Sequence, residues 1–238
     1  MFPDDCIQSV VGSGRWWDEY RDNALCRGAL IFAFVPHFDQ LPYTFEPVGR
    51  ADATSHTSAI VKVSPLKIDQ ALKRSTLPVA AMPLHEGEVW AAYRSKRRPC
   101  VVLGCNHPTV ESGLTRGMPK NSTAPTIIVA PYYGAKKGNR AGYRPEFVER
   151  VRHCEYPQFV WDFLPFTGGE ESILRLDQLQ PIGAHYGSYK LSGFKLSNTA
   201  LEVMDELLTW LIRGGVPKDS LVAMYRQEIE AAFSGGSN

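Results

Sequence analysis

The residues best suited to chemistry in this chain are clustered cations with aromatic neighbours. Arg94, Lys96, Arg97, Arg98, Arg116 and Lys120 stand against Glu111 alone over residues 94–120, six charges against one, for a local charge of +5. Lys136, Lys137, Arg140, Arg144, Arg150 and Arg152 stand against Glu146 and Glu149 over 136–152, six against two, for a local +4. Tyr132, Tyr133 and Tyr143 are interleaved with them. Arginine suits phosphate because its planar fork grips two oxygens and stays charged. Cations that hold phosphates beside rings that stack bases are what single-stranded nucleic-acid binding requires. The plainer reading of such a run is a solvated face, or a basic surface for an acidic partner.

Acid–base groups are scattered. His85, His107, His153 and His185 can each exchange a proton near neutral pH, although packing or surface roles are commoner for any one histidine. Asp162, Glu170 and Glu171 can supply a carboxylate base. Cys100, Cys105 and His107 form the one Cys/His cluster. Cys100 opens an apolar strand pattern with Val-Val-Leu after it, so a buried thiol accounts for it better than a zinc ligand. Five cysteines at irregular positions point to reduced thiols in a cytoplasmic protein. No metal and no cofactor is expected.

The elements that must position these groups read as short strands. Candidates are 28–37, 57–64, 88–94, 100–104, 126–134, 158–164 and 172–179. The basic SKRRP segment reads as the tip of a hairpin joining 88–94 to 100–104. Residues 38–56, 105–124 and 135–144 read as loops, 66–74 as a short helix, and Leu77–Gly87 as a linker. Pro145 fits the first position of a second short helix. The clearest helix is 197–213, with Ser197 as its cap, Leu201, Met204, Leu208, Leu211 and Ile212 as its apolar stripe, and Gly214-Gly215 as its stop. Another amphipathic helix fits 217–233, followed by a flexible SGGSN tail. The resulting class is mainly β with C-terminal helices (α+β), a small antiparallel barrel closed by helices.

Composition narrows the field. With 44% hydrophobic and 21% charged residues among 238, the chain is neither disordered nor low in complexity. Lys and Arg number 26 against 25 Asp and Glu, a net +1, so any pull on polyanions must be local. There is no run of 18 apolar residues for a membrane span, and MFPDDC lacks the basic start of a signal peptide.

From Gly87 onward the chain resembles the MazF/PemK family of toxin endoribonucleases. The resemblance rests on GEVWAAY (87–93), RRPCVVLG (97–104), TIIVAPYYG (126–134), ILRLDQLQPIG (173–183) and LSNTALEVMDELLTWL (196–211), in that order. It implies an SH3-like barrel of the MazF/PemK/CcdB type over 85–213, preceded by an N-terminal extension at 1–84 and followed by an additional helix and tail at 214–238. It further implies a homodimer that cuts single-stranded RNA without a metal, paired with an acidic antitoxin whose disordered tail competes for the RNA groove.

Metal-free cleavage needs a base for the 2′-hydroxyl, an acid for the leaving 5′-oxygen, and donors for the phosphorane. The family's arginine precedes the proline of the second strand, which is Arg98 here, with Arg97 beside it. Its hydroxyl residue, usually Thr or Ser, falls at Tyr133. His107 is the favoured histidine, because the loop after the second strand would overhang Arg98. Arg94, Lys96, Arg97, Tyr132, Lys136, Lys137 and Arg140 would contact RNA. Asp177 and Gln178 match the family's signature and would serve folding and dimer packing. Tyr133 in place of a small hydroxyl residue keeps a rival open: a catalytically silent barrel that binds nucleic acid or protein, as a regulatory or defence-system subunit. A poison of a protein target, like the CcdB barrels, is a further alternative.

Overall fold

A computed structural model describes residues 2–10, 15–22, 24–69, 82–136 and 142–234. Its strands are β1 (Trp17–Glu19), β2 (Ala29–Pro36), β3 (Tyr43–Gly49), β4 (Ile60–Pro65), β5 (Trp90–Ala92), β6 (Ser95–Gly104), β7 (Thr126–Gly134), β8 (Phe159–Phe163), β9 (Glu171–Arg175), β10 (Gln180–Gly183) and β11 (Tyr189–Leu196). Its helices are α1 (Ile7–Val10), α2 (Ser112–Thr115), α3 (Pro145–Arg152), α4 (Asn198–Arg213) and α5 (Leu221–Ser234). The chain is mainly β with C-terminal helices. It divides into two units, Met1–Ala33 with Arg97–Asn238, and Phe34–Lys96. Among the described residues no helix is long and apolar enough to cross a membrane.

The larger unit holds a curled, half-barrel sheet in the order β1-β11-β2-β6-β7-β9-β8, with β10 also paired to β7. β7 sets the curl. Along one edge it pairs with β6, Cys100 opposite Pro131 and Val101 opposite Ala130. Its other edge is shared: Thr126–Val129 pair with β10 and Tyr132–Gly134 with β9. The handover falls at Ala130-Pro131, where proline has no N–H to give a ladder. The expected strand 172–179 is accordingly broken. Leu176–Gln178 form a 3₁₀ turn, and the Leu176 N–H donates to the Gln158 carbonyl at 2.9 Å.

Alternation places successive side chains on opposite faces. Tyr132, Leu174 and Val160 point inward, into a core completed by Ala200, Val203, Met204 and Leu207 of α4 and Val222 and Tyr225 of α5. Ile173 and Trp161 point outward and are covered by Val148 and Val151 of α3 and by Cys6 of the N-terminal segment. Residues 2–10 thus belong to this unit, with Phe2 stacked on Phe163 at 5.7 Å.

α4 matches its expected limits. The Ser197 hydroxyl accepts from the Ala200 N–H at 3.3 Å, and Gly214 closes the helix at φ 82°, a left-handed geometry that glycine adopts without strain. Glu206 then caps the next helix, accepting from the N–H groups of Leu221 at 3.1 Å and Val222 at 2.8 Å. Glu206→Ala is expected to cost about 1–2 kcal/mol, as losing a charged cap does. Urea unfolding checks this, and an unchanged midpoint would contradict it.

The smaller unit is a three-stranded sheet, β4-β3-β5. β3 lies within the stretch expected to be loop. Tyr43, Phe45 and Pro47 alternate with Thr44 and Glu46, and Pro47 hides a pattern of period two. Two further expectations change. SKRRP is not a hairpin tip: it is the first half of β6, while β5 pairs with β3 instead. Leu66–Asp69 are not helical, and the rest of the expected 66–74 helix lies outside the described residues, as do residues 77–81 of the expected linker and the end of the SGGSN tail.

Candidate functional site

Arg98 and Tyr133 meet on the outer face of the sheet. Continuing the β6–β7 register two residues beyond Cys100 and Pro131 puts them directly across from each other, and neighbours across a ladder interact most strongly. The guanidinium carbon of Arg98 lies 3.7 Å from the centroid of the Tyr133 ring, a cation–π contact worth about 0.5–2 kcal/mol. Arg98 is half-buried. Its Nε–H is buried without an acceptor, and no carboxylate pairs with it among the described residues. A part-buried charge without a counterion costs stability.

Tyr133 is fixed from its other end. Its hydroxyl donates to the Gln178 side-chain oxygen. Arg175 stands 5.8 Å from the same ring and 4.8 Å from the Phe159 ring, its direct cross-strand partner. In contrast with Arg98, Arg175 is compensated. It donates through Nε to Asp177 Oδ1 at 2.7 Å and through Nη2 to Oδ2 at 2.5 Å, and through Nη1 to the Tyr143 hydroxyl at 3.4 Å. The Asp177 carboxylate raises the pKa of Arg175 further. The Leu-Asp-Gln segment therefore holds the site: Asp177 clamps Arg175, and Gln178 holds Tyr133.

A run of half-buried rings continues from Phe159. Phe147 packs edge-on to it at 5.2 Å, and Tyr143 and Tyr156 stack on Phe147 at 5.4 and 5.8 Å. Arg150 lies 5.1 Å from the Tyr156 ring and is paired with Glu155 at 2.6 Å.

On the inner face, hydrogen-bonded to Tyr132, is a buried carboxylate. Asp162 is 0% exposed. It accepts from Trp16 Nε1 at 3.2 Å, Trp17 Nε1 at 3.3 Å and the Tyr132 hydroxyl at 2.7 Å. Trp17 lies in β1 and Asp162 in β8, the first and last strands of the path, so side chains join edges that no backbone ladder joins. Burial raises the Asp162 carboxyl to about 7, against these three donors and the Phe163 N–H, which lower it.

The other expected site residues are dispersed. Tyr132 is 2% exposed and bonded to Asp162, so its ring is core rather than an RNA-stacking surface: it faces inward because Tyr133 faces outward. His107 is half-buried. Its loop leaves the far end of β6, and six residues of strand separate Arg98 from Gly104, about 20 Å at strand rise. Arg97 is exposed over the Phe32 ring at 4.8 Å. Arg94 and Lys96 belong to the smaller unit. Lys136 pairs with Glu170 at 3.7 Å, while Lys137 and Arg140 lie outside the described residues.

His153 is 6% exposed and lies 3.1 Å from Asp5 Oδ2. His185 contacts the Ser188 hydroxyl at 2.6 Å, and the His85 N–H donates to Glu88 at 3.0 Å. Glu171 accepts from Trp161 Nε1 at 3.0 Å. Cys100 is fully buried, and burial pushes its thiol up to about 12. Among the described residues no three His, Cys, Asp or Glu side chains gather as a metal site would need.

Arg175, Phe159 and Tyr156 are members that sequence reading missed. The available signal was a lone arginine closing an apolar strand two residues before an aspartate. No family model matches the chain, and no curated protein is significantly similar to it.

Proposed function

We propose that this chain is a metal-independent endoribonuclease of the MazF/PemK type, built on an SH3-like barrel, that binds single-stranded RNA at the Arg98–Tyr133 pair. The observation that carries this reading is Arg98, a half-buried cation held flat on Tyr133 with no acidic partner among the described residues. An RNA phosphate would supply the missing anion. In the reaction the 2′-oxygen bonds to phosphorus as its proton leaves to water, the bond to the 5′-oxygen breaks as that oxygen takes a proton from water, and a 2′,3′-cyclic phosphate and a 5′-hydroxyl result. Arg98 would stabilise the charge that develops on the phosphorane oxygens, and the Tyr133 hydroxyl would donate to one of them. His107, at the far end of β6, has no part in this step. As in the family it resembles, the protein would act as a cytoplasmic homodimeric toxin, held in check by an acidic antitoxin segment competing for the same cations.

A second reading is a non-cleaving RNA-binding module. The observations favouring it are the tyrosine in place of a small hydroxyl residue, its hydroxyl already engaged by Gln178, and the remoteness of His107. Incubating the purified protein with mixed-sequence RNA in EDTA separates the two. Fragments ending in 2′,3′-cyclic phosphate support the nuclease. Stable binding with intact RNA supports the module.

A further inference from the structure

Beyond Arg98 and Tyr133, the outer face carries a second feature that neither phosphate binding nor cleavage uses. Tyr143, Phe147, Tyr156 and Phe159 form one packed run, assembled from the start of α3, the turn after it and β8. All four are half-buried. Core rings in this unit are buried far more completely: Trp161 and Tyr132 are each 2% exposed. Tyr143 and Tyr156 each stack on Phe147, with interplanar angles of 22° and 21°, so Phe147 backs both rings, and Arg150 lies 5.1 Å from the Tyr156 centroid. Arg175 ties the run to the phosphate site, touching the Tyr133 and Phe159 rings and the Tyr143 hydroxyl.

Charge separates the two ends. The cations along the run, Arg175 and Arg150, are neutralised by Asp177 and Glu155, whereas Arg98 has no such partner among the described residues. A ligand matching this face needs an anionic group at one end and flat, uncharged, stackable groups at the other. Unpaired nucleotides have that chemistry. Every base has a π face, and stacking on protein rings requires no particular sequence.

We propose that Tyr143 and Tyr156 are base-stacking positions for the unpaired nucleotides flanking the phosphate held by Arg98. The segment that carries α3 would then extend the site and select single-stranded over double-stranded RNA. This rests on the reading of Arg98 as the phosphate site.

The test uses the full-length protein and a single-stranded 2′-O-methyl oligonucleotide, which cannot be cleaved through its 2′-oxygen. Each ring removed, in Tyr143→Leu and in Tyr156→Leu, is expected to weaken binding about tenfold, within the range for one stacked base. Tyr143→Phe keeps the ring, loses only the hydroxyl contact to Arg175, and is expected to bind as the wild type does. A 2-aminopurine placed in the oligonucleotide is expected to be quenched on binding to the unmodified protein, a readout that requires no variant to fold.

Unchanged affinity in both leucine variants with weakened binding in Arg98→Ala would overturn the stacking positions and leave the phosphate site standing. Unchanged affinity in all three would overturn both. Equal loss in Tyr143→Phe and Tyr143→Leu would show that the hydroxyl, not the ring, matters at that position, and would overturn it as a stacking site.

Discussion

Asp162→Ala is expected to destabilise the protein by about 3–5 kcal/mol, because three aromatic donors lose their common acceptor and each buried donor left unsatisfied costs about 1–3 kcal/mol. The donors come from both ends of the sheet path and from its middle: Trp16 and Trp17 at β1, and Tyr132 in β7. Losing the carboxylate therefore releases β1 from β8 as well as opening a polar void. The same residue gives a pH signature. Its carboxyl sits at about 7 in the fold, raised by burial from the ordinary 3.8. Between those values the folded chain keeps a proton that the unfolded chain has lost. The Asp162 contribution to stability is accordingly greatest near pH 4, falls as pH rises to about 7, and then levels, a change of at most about 4 kcal/mol. Asp162→Asn removes this slope, so the difference between the two urea-unfolding profiles isolates it. A wild type that gains stability relative to Asp162→Asn between pH 4 and 7 would contradict the assignment.

Arg98→Ala is expected to lower RNA cleavage about 10²–10³-fold, the usual result of removing one donor aimed at a developing oxyanion. Stability should scarcely move. The variant loses a stacking contact worth about 1 kcal/mol and gains relief from an uncompensated, partly buried charge. Arg98→Lys keeps the charge but not the flat fork that lies on Tyr133. It is expected to retain binding better than cleavage, because a point charge cannot grip two phosphate oxygens. A parallel fall in melting temperature and activity would instead mark Arg98 as structural.

These residues differ in how far the sequence exposes them. Arg98 and Tyr133 can be picked out through the family resemblance, which places one before the proline of a strand and the other at a strand end. α4 can be read to its caps because capping chemistry is local: a serine hydroxyl, a left-handed glycine and an apolar stripe lie within one segment. What could not be read depends on register. Tyr132 and Tyr133 look alike in sequence, and only the alternation of β7 sends one to Asp162 and the other to Arg98. Arg175 joins the site because it is paired across β9–β8 with Phe159, 16 residues away. His107 is expected near Arg98 because the loop after the Arg98 strand would overhang it. The SKRRP segment extends β6, so that loop leaves the opposite end of the strand from Arg98. β3 was obscured by Pro47, whose missing N–H argues against a strand although its neighbours alternate. Asp162 did leave a trace, as the one charged residue in FVWDF.

The most direct test of the central claim is cleavage of single-stranded RNA in EDTA by the wild type and by Arg98→Ala, each verified as folded by its melting temperature, with the product ends identified. Fragments ending in 2′,3′-cyclic phosphate, formed about 10²–10³-fold more slowly by the variant, are the expected result. RNA left intact by the wild type at high protein concentration, or cut equally fast by Arg98→Ala, would contradict it.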